Sequence, residues 1–324
     1  MPSWGEVLQL IQEEAATNGG QVNVDEMRRK YLTRVHEISG HSVIHYTTDF
    51  LGPGSGNQTA ISLTDMQGLM EVFRDLPGPR LDLILHSPGG QAEATDSLVR
   101  YLRTKFTYIR VFVPLAAMSA ATMWAMACDE IVMGKHSQLG PIDPQITLPS
   151  GIPVPAKALI DQFDEASEVL AQHPERMAAW LPTLQQYPPG LLNICQSAGE
   201  LARRLVGDWL QIYMLKDDEQ KEIKANAIAD WLSDDKAHLS HGRALTRDQL
   251  RDKGLVVTDL ESNEDLQDAV LSAHHAAMHT FQGSAVKIME NHLGRLWVQH
   301  GGQQIVIPSQ VMPQPQPPVP AGQN

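Results

Sequence analysis

From Ser42 to Gly134 the chain alternates short β-type runs with helical segments, an order that α/β folds accommodate and all-α or all-β folds do not. Ser42 to Thr48 is β-rich, a helix is expected from about Ser62 to Leu76, and "RLDLILHS" reads as a strand. The helix "QAEATDSLVRYLRTKF", the strand "YIRVFVPL", a small-residue helix beginning near Ser119 and the short strand "EIVMG" complete a ββα-like series. Parallel strands covered by helices follow from that spacing.

The flanks read differently. "WGEVLQLIQEEAA" and "QVNVDEMRRKYLTRVHEI" are amphipathic and suggest a helical N-terminal arm over 1–40, with the α/β core over 41–150. Beyond Pro149 the texture is helical, broken at Pro182, Pro188 and Pro189, so 151–257 is expected to be a helical insertion that also completes the core. A C-terminal helix and strand occupy 258–307, and the Pro/Gln-rich 308–324 is expected to be a disordered tail.

Composition narrows the partners. Among 324 residues, 38 acidic against 25 basic side chains give a net charge of −13, which disfavours nucleic acid and anionic membranes. Two cysteines, Cys128 and Cys195, are too few for a disulfide framework. Because the N-terminal segment also lacks a secretory pattern, a cytoplasmic location is expected. Val111 to Ala127 carries no charge but is marginal for spanning a bilayer and is interrupted by Pro114, Ser119 and Thr122. It reads as a buried strand and helix.

Two local features carry chemistry. In "LILHSPGGQ" a strand ends at Pro88, Gly89 and Gly90 and a helix begins directly, which leaves backbone N–H groups open to a developing oxyanion. An ordinary strand-to-helix turn explains that feature alone, and a packed helix explains a lone Ser119. Their separation by one βα unit joins them, because successive parallel strands place such turns side by side. A serine there would also have the N–H of Ala120 beside it at a helix start.

"SPGG" followed by "AMSAATMWAMACDEIVMGKHSQLGPIDPQ" resembles the ClpP/crotonase-fold serine peptidases, nearest to the signal-peptide-peptidase-A branch. Within it, "GPIDPQ" and "KIMEN" resemble the serine dehydrogenase proteinase family, a label that does not denote dehydrogenase activity. The likeness runs from Ser42 to Val257 and more weakly to Asn291. It implies a ClpP/crotonase-like repeated ββα core, Ser119 as nucleophile, and an oxyanion hole from Gly90, with Gly89, and the Ala120 N–H. It also implies peptide or protein substrates and a homo-oligomer, expected as a closed ring whose interfaces come from the arm and from Leu159 to Leu215.

The base is the open element of that likeness. ClpP itself has a histidine roughly two dozen residues after the serine, where "SQLGPIDPQI" here offers Asp143 as its sole ionisable residue, and His136 stands several positions too early. The signal-peptide-peptidase branch uses a lysine at the start of a helix, and Lys157 in "IPVPAKALIDQF" holds a comparable place. A Ser119–Lys157 dyad is therefore expected, with Asp143 and His136 as accessory candidates. An ordinary lysine, with a pKa of about 10.4, is charged at neutral pH, so Lys157 must be desolvated to act as a base. Ile152, Val154, Ala156, Ala158 and Leu159 favour that, and Asp161 opposes it if it faces the same pocket.

No metal or other cofactor is expected. His275 and His279 share a helix face without the glutamate of an HExxH pattern, and His36, His41 and His45 read as packing or solvated residues. "GPGSG" at Gly52 to Gly56 lacks the Lys-Ser/Thr of a phosphate loop. Two other readings compete with the peptidase: an acyl-CoA hydratase or isomerase, disfavoured because Arg80, Arg100 and Arg103 are the few cations near the turn, and a catalytically inactive scaffold. The absence of a transmembrane segment leaves membrane-protein substrates compatible with the peptidase reading.

Overall fold

The computed structural model describes residues 3–17, 23–52, 56–148 and 151–301. The chain opens with α1 (Trp4–Thr17) and α2 (Val24–Ser39), the second capped by the Asn23 side chain, which accepts from the Glu26 N–H. There follow β1 (Ser42–Thr48), α3 (Asp65–Phe73), β2 (Arg80–His86), α4 (Ala92–Arg103), β3 (Tyr108–Val113), β4 (Ala116–Ala117), α5 (Ala120–Met126), β5 (Glu130–Met133) and β6 (Gln138–Leu139). A small hairpin, β7 (Gln145–Thr147) and β8 (Pro153–Pro155), leads into α6 (Ala156–Gln172), α7 (Met177–Leu184), α8 (Leu191–Ile212) and α9 (Lys221–Ser233). The remainder is α10 (Asp235–His238), α11 (Arg247–Asp252), β9 (Val257–Asp259), α12 (Glu264–Thr280), β10 (Ala285–Asn291) and β11 (Leu296–His300).

The central sheet has the order β11-β10-β1-β2-β3-β5-β9. β1, β2, β3, β5 and β9 run parallel, and β10 and β11 are antiparallel at one edge. The α/β class and the parallel core read from the sequence are therefore present, and "KIMEN" forms the end of β10.

The period-two alternation of strands sorts the core into two layers. Ile44, Tyr46, Leu83, Leu85, Val111 and Val113 face α3, α4 and α5 and the helices α8 and α9 that cover α5. Val43, Ile84, Phe112 and Val132 face α2 and α12 on the other side. Leu32 and Val35 of α2 are wholly buried there, each worth about 1.5–3 kcal/mol. The segment expected as a helical N-terminal arm is helical and packed on the body: α2 lies against α12, and α1 rests on α12 with Val7 buried.

The apolar stretch before and after Ser119 divides as expected into a buried strand and a buried helix, and all seven residues of α5 are inaccessible. Ala120, Ala121 and Ala125 let α5 lie close to the sheet. Among the described residues no helix is long and apolar enough to cross a membrane. The insertion is partly integral, since Trp209, Leu210 and Ile228 join the main core, while Ala156, Leu159, Leu191 and Cys195 form a separate small cluster. The 308–324 tail, and 53–55 of the glycine-rich loop, lie outside the described residues.

Candidate active site

Two strand-to-helix turns meet at the C-terminal ends of β2 and β3. The Ser87 N–H donates to the Ala116 carbonyl at 3.1 Å and the Met118 N–H to the Ser87 carbonyl at 2.9 Å, which ties one turn to the other. Gly89 has φ +94°, and a Cβ there would lie 2.5 Å from the Met118 oxygen, 2.7 Å from the Ala120 nitrogen and 2.8 Å from Ser119 Cβ. Only glycine lets the backbone pass the serine so closely. The Pro-Gly-Gly turn and Ser119, joined from spacing alone, are brought together.

The turn's own donors are divided unequally. Gly89 gives its N–H to Ser87 Oγ at 3.2 Å and its carbonyl accepts from the Ile61 N–H at 2.7 Å, while the Gln91 N–H donates to the Ile61 carbonyl at 2.9 Å. A Cβ on Gly90 would overlap the backbone of Ile61. The N–H groups of Gly90 and Ala120 have no acceptor among the described residues, and they flank Ser119.

Ser119 itself has φ 51° and ψ −119°, a sparsely populated conformation for a side chain with a Cβ, costing about 1–3 kcal/mol. A serine preceding a helix ordinarily caps it, but the Ser119 hydroxyl makes no cap bond to α5. A strained strand-turn-helix elbow of this kind is the local structure that presents a nucleophile. Thr122 fixes the elbow from below, donating to the Ala117 carbonyl at 2.8 Å and accepting from the Gly140 N–H at 3.0 Å.

Lys157 does not meet the condition set for it. Its side chain is 54% exposed and pairs with Asp161, which also binds Lys236 at 2.7 Å. The expected desolvation is corrected on that account: the lysine lies at the solvent-facing start of α6, and the carboxylate one turn on faces it. The Ala156 N–H donates to the Pro144 carbonyl at 2.8 Å, which sets Lys157 next to the Asp143 segment. Lys157 and Asp143 line one cleft of about 380 Å³ with Ala156, Ile160, Cys195 and Asp230.

Asp143 is buried and binds His241 Nδ1 at 2.8 Å, a partner the sequence did not reveal. The pairing follows from register. Leu139 and Leu245 exchange N–H···O bonds of 3.1 and 2.9 Å, and Asp143 stands four residues after the first as His241 stands four before the second. Since Ala117 is level with Leu139 in the parallel β4–β6 pair, Asp143 and His241 lie beyond the same strand ends as Ser119. His136, the other accessory candidate, has Nε2 at 3.0 Å from the Pro114 carbonyl.

Of the other singled-out residues, His45 is buried on β1, and most of the rest have structural partners. His36 and His292 stack, with the His36 ring bonded to the His41 carbonyl at 2.6 Å, His41 binds Asp82 at 2.9 Å, and His279 meets the Trp4 carbonyl. His275 follows the buried His274 along α12, their rings 5.6 Å apart. Burial pushes the Cys128 thiol up to about 12 and raises Cys195 as well, so both thiols are held neutral as core groups.

The fold is a mostly parallel α/β sheet with a serine at a strained strand-to-helix elbow. Residues 30–172 match the family described as ClpP-like SDH-type serine proteinase, the family that the motifs resemble. The chain is also similar to two uncharacterized proteins of Methanocaldococcus jannaschii. One is 30% identical over 171 residues, covering 50% of this chain and 59% of the relative, and the other 27% identical over 175 residues, covering 50% and 57%. The chain thus spans less than three fifths of the length of these curated relatives.

Proposed function

We propose that the protein is a serine peptidase in which Ser119 attacks a peptide carbonyl and the N–H groups of Gly90 and Ala120 hold the resulting oxyanion. The carrying observation is the strained Ser119, uncommitted to its helix, packed against the glycine turn. The hydroxyl adds to the carbonyl as its proton passes to a base; the amine then leaves with that proton, and water repeats the sequence to release the acid. No cofactor enters these steps.

Lys157 is the base that the family likeness supplies, and a bound peptide or a neighbouring copy must cover it before it can accept a proton. A second reading, favoured by the hydrogen bond to buried Asp143, makes His241 the base, oriented by that carboxylate in the manner of a triad. The hydratase reading is weakened because Arg100 pairs with Asp96 and Arg103 with Asp129, each at 2.9 Å, and Arg80 stacks over Tyr108.

The test is labelling by a fluorophosphonate probe, which reacts with activated serines. Wild type should label and Ser119→Ala should not; labelling that persists in Ser119→Ala removes Ser119 from the mechanism. Loss in Lys157→Met with retention in His241→Asn assigns the lysine, and the reverse assigns the histidine. A wild type that never labels under any condition supports the inactive-scaffold reading instead.

A further inference from the structure

A buried polar network leads from β10, on the α3 face of the sheet, to the oxyanion turn. Asp65, at the start of α3, and Lys287, on β10, are both wholly buried and paired at 2.6 Å. A buried ion pair is a poor source of net stability, because desolvating both charges offsets most of their attraction. Its placement therefore asks for another explanation.

Two further bonds of the pair fall on one short segment. Lys287 Nζ donates to the Ala60 carbonyl at 2.8 Å, and the Ser62 N–H donates to Asp65 Oδ2 at 3.0 Å. Between those two anchored residues stands Ile61, whose N–H and carbonyl grip Gly89 and Gln91 on either side of Gly90. A second arm starts at the same carboxylate: Tyr46 Oη donates to Asp65 Oδ2 at 2.8 Å, the phenol also meets the Ser87 hydroxyl, and Ser87 Oγ accepts the Gly89 N–H. Both arms end on the turn that carries the free Gly90 N–H.

We infer that Asp65 and Lys287, with Tyr46, are positioning residues that fix the Gly90 N–H toward Ser119 through Ile61 and Ser87. The inference rests on the peptidase reading for its catalytic consequence and on the hydrogen bonds alone for its structural one. Oxyanion donors stabilise charge only when held beforehand at bonding distance, and a glycine pair without side-chain packing cannot hold itself. The ion pair supplies the fixed frame from outside the turn.

Two variants separate the arms. Tyr46→Phe removes one hydroxyl and keeps the ring on Trp124, and the charge-balanced double variant Asp65→Asn/Lys287→Met removes the frame without stranding a buried charge. Amide hydrogen exchange, read by mass spectrometry on peptides spanning 58–63 and 86–92, should rise at least tenfold in both variants, with β3 unchanged. Fluorophosphonate labelling of Ser119 should slow by roughly 10²-fold in the double variant, within the range seen for loss of an oxyanion donor. Unchanged exchange in both peptides, or a rise spread evenly over the sheet, overturns the inference; if the double variant fails to fold, Tyr46→Phe decides alone. A wild type that does not label refutes the peptidase reading, and hydrogen exchange in the same variants still decides whether the frame holds the turn.

Discussion

Acidification should destabilise this fold well before its carboxylates are protonated, because three histidines, on β1, β2 and α12, are buried without adequate partners. His45 and His86 are wholly inaccessible and His274 nearly so, and the His86 and His274 rings stand 4.8 Å apart. Among the described residues, both ring nitrogens of His45, Nε2 of His86 and Nδ1 of His274 have no hydrogen-bond partner. Burial lowers the pKa of His45 to about 3 and of His86 to about 4, and drives His274 well below the ordinary value. Arg28 adds to the effect at His45, and His86, His275 and His136 add to it at His274.

The sign follows from linkage. Each folded-state value lies below the unfolded one, about 6.5, so stability is full above that pH and falls as the unfolded chain takes up protons that the folded chain refuses. At pH 5.5 the three histidines together cost about 4 kcal/mol of a stability typically about 5–15. The loss stops growing only near pH 3 to 4, where His45 and His86 protonate in place. Glu290, whose carboxyl burial raises, titrates in the opposite sense and offsets part of the loss. Taking about 2–4 °C per kcal/mol, the melting temperature should fall by roughly 8–16 °C between pH 7.5 and 5.5. Urea unfolding across that range, on wild type and His45→Gln, is the assay. A flat profile, or a slope that the substitution leaves intact, refutes the reasoning.

Other consequences can be checked independently. Gly89→Ala places a Cβ 2.5 Å from the Met118 oxygen at φ +94°, so overpacking of about 1–3 kcal/mol and a left-handed backbone penalty of about 1–2 should appear in urea unfolding, with loss of probe labelling. Arg28→Met strands buried Glu290, to which Arg28 bonds at 2.9 Å, and should cost about 3–5 kcal/mol by the same measurement, partly recovered in Arg28→Met/Glu290→Gln. The ring expected from the family likeness should give a light-scattering mass several times the single-chain 35.7 kDa; that single-chain mass across a dilution series would exclude it. Because α2 is part of the body, a deletion testing the arm's share in assembly should stop at Thr17.

What was legible in the sequence was whatever the chain encodes locally. The strand Ser42 to Thr48 was read to the residue, since apolar, β-branched and aromatic positions run together where both sheet faces are covered. The Pro-Gly-Gly turn and Ser119 were legible because backbone demands are written in residue type: Gly89 must be glycine to pass Ser119. The packing of α2 was not legible, because its polar face is evident from spacing, whereas the layer that receives its apolar face, α12, lies more than two hundred residues on. Desolvation of Lys157 was misjudged for a related reason. Apolar neighbours in sequence say which residues could cover a lysine, but on a helix they point in different directions, and Asp161 at i+4 is the neighbour that shares its face.

The partners of the site residues were illegible for a stronger reason. Asp143 finds His241 across 98 positions and Asp65 finds Lys287 across 222, and neither His241 nor Lys287 carries any local mark of its role. Strand order creates both pairs: β10 returns antiparallel to β1 and brings Lys287 level with Thr48, and the Leu139–Leu245 bridge brings the two loops together. The fold thus separates what a site requires. Its backbone donors come from two adjacent turns and leave a signature in glycine and serine, while the charges that orient them arrive from distant segments through sheet register. A substitution at Lys287 should accordingly disturb the Pro-Gly-Gly turn more than its place on an edge-ward strand suggests, because its ammonium group is bonded to the segment that grips Gly90.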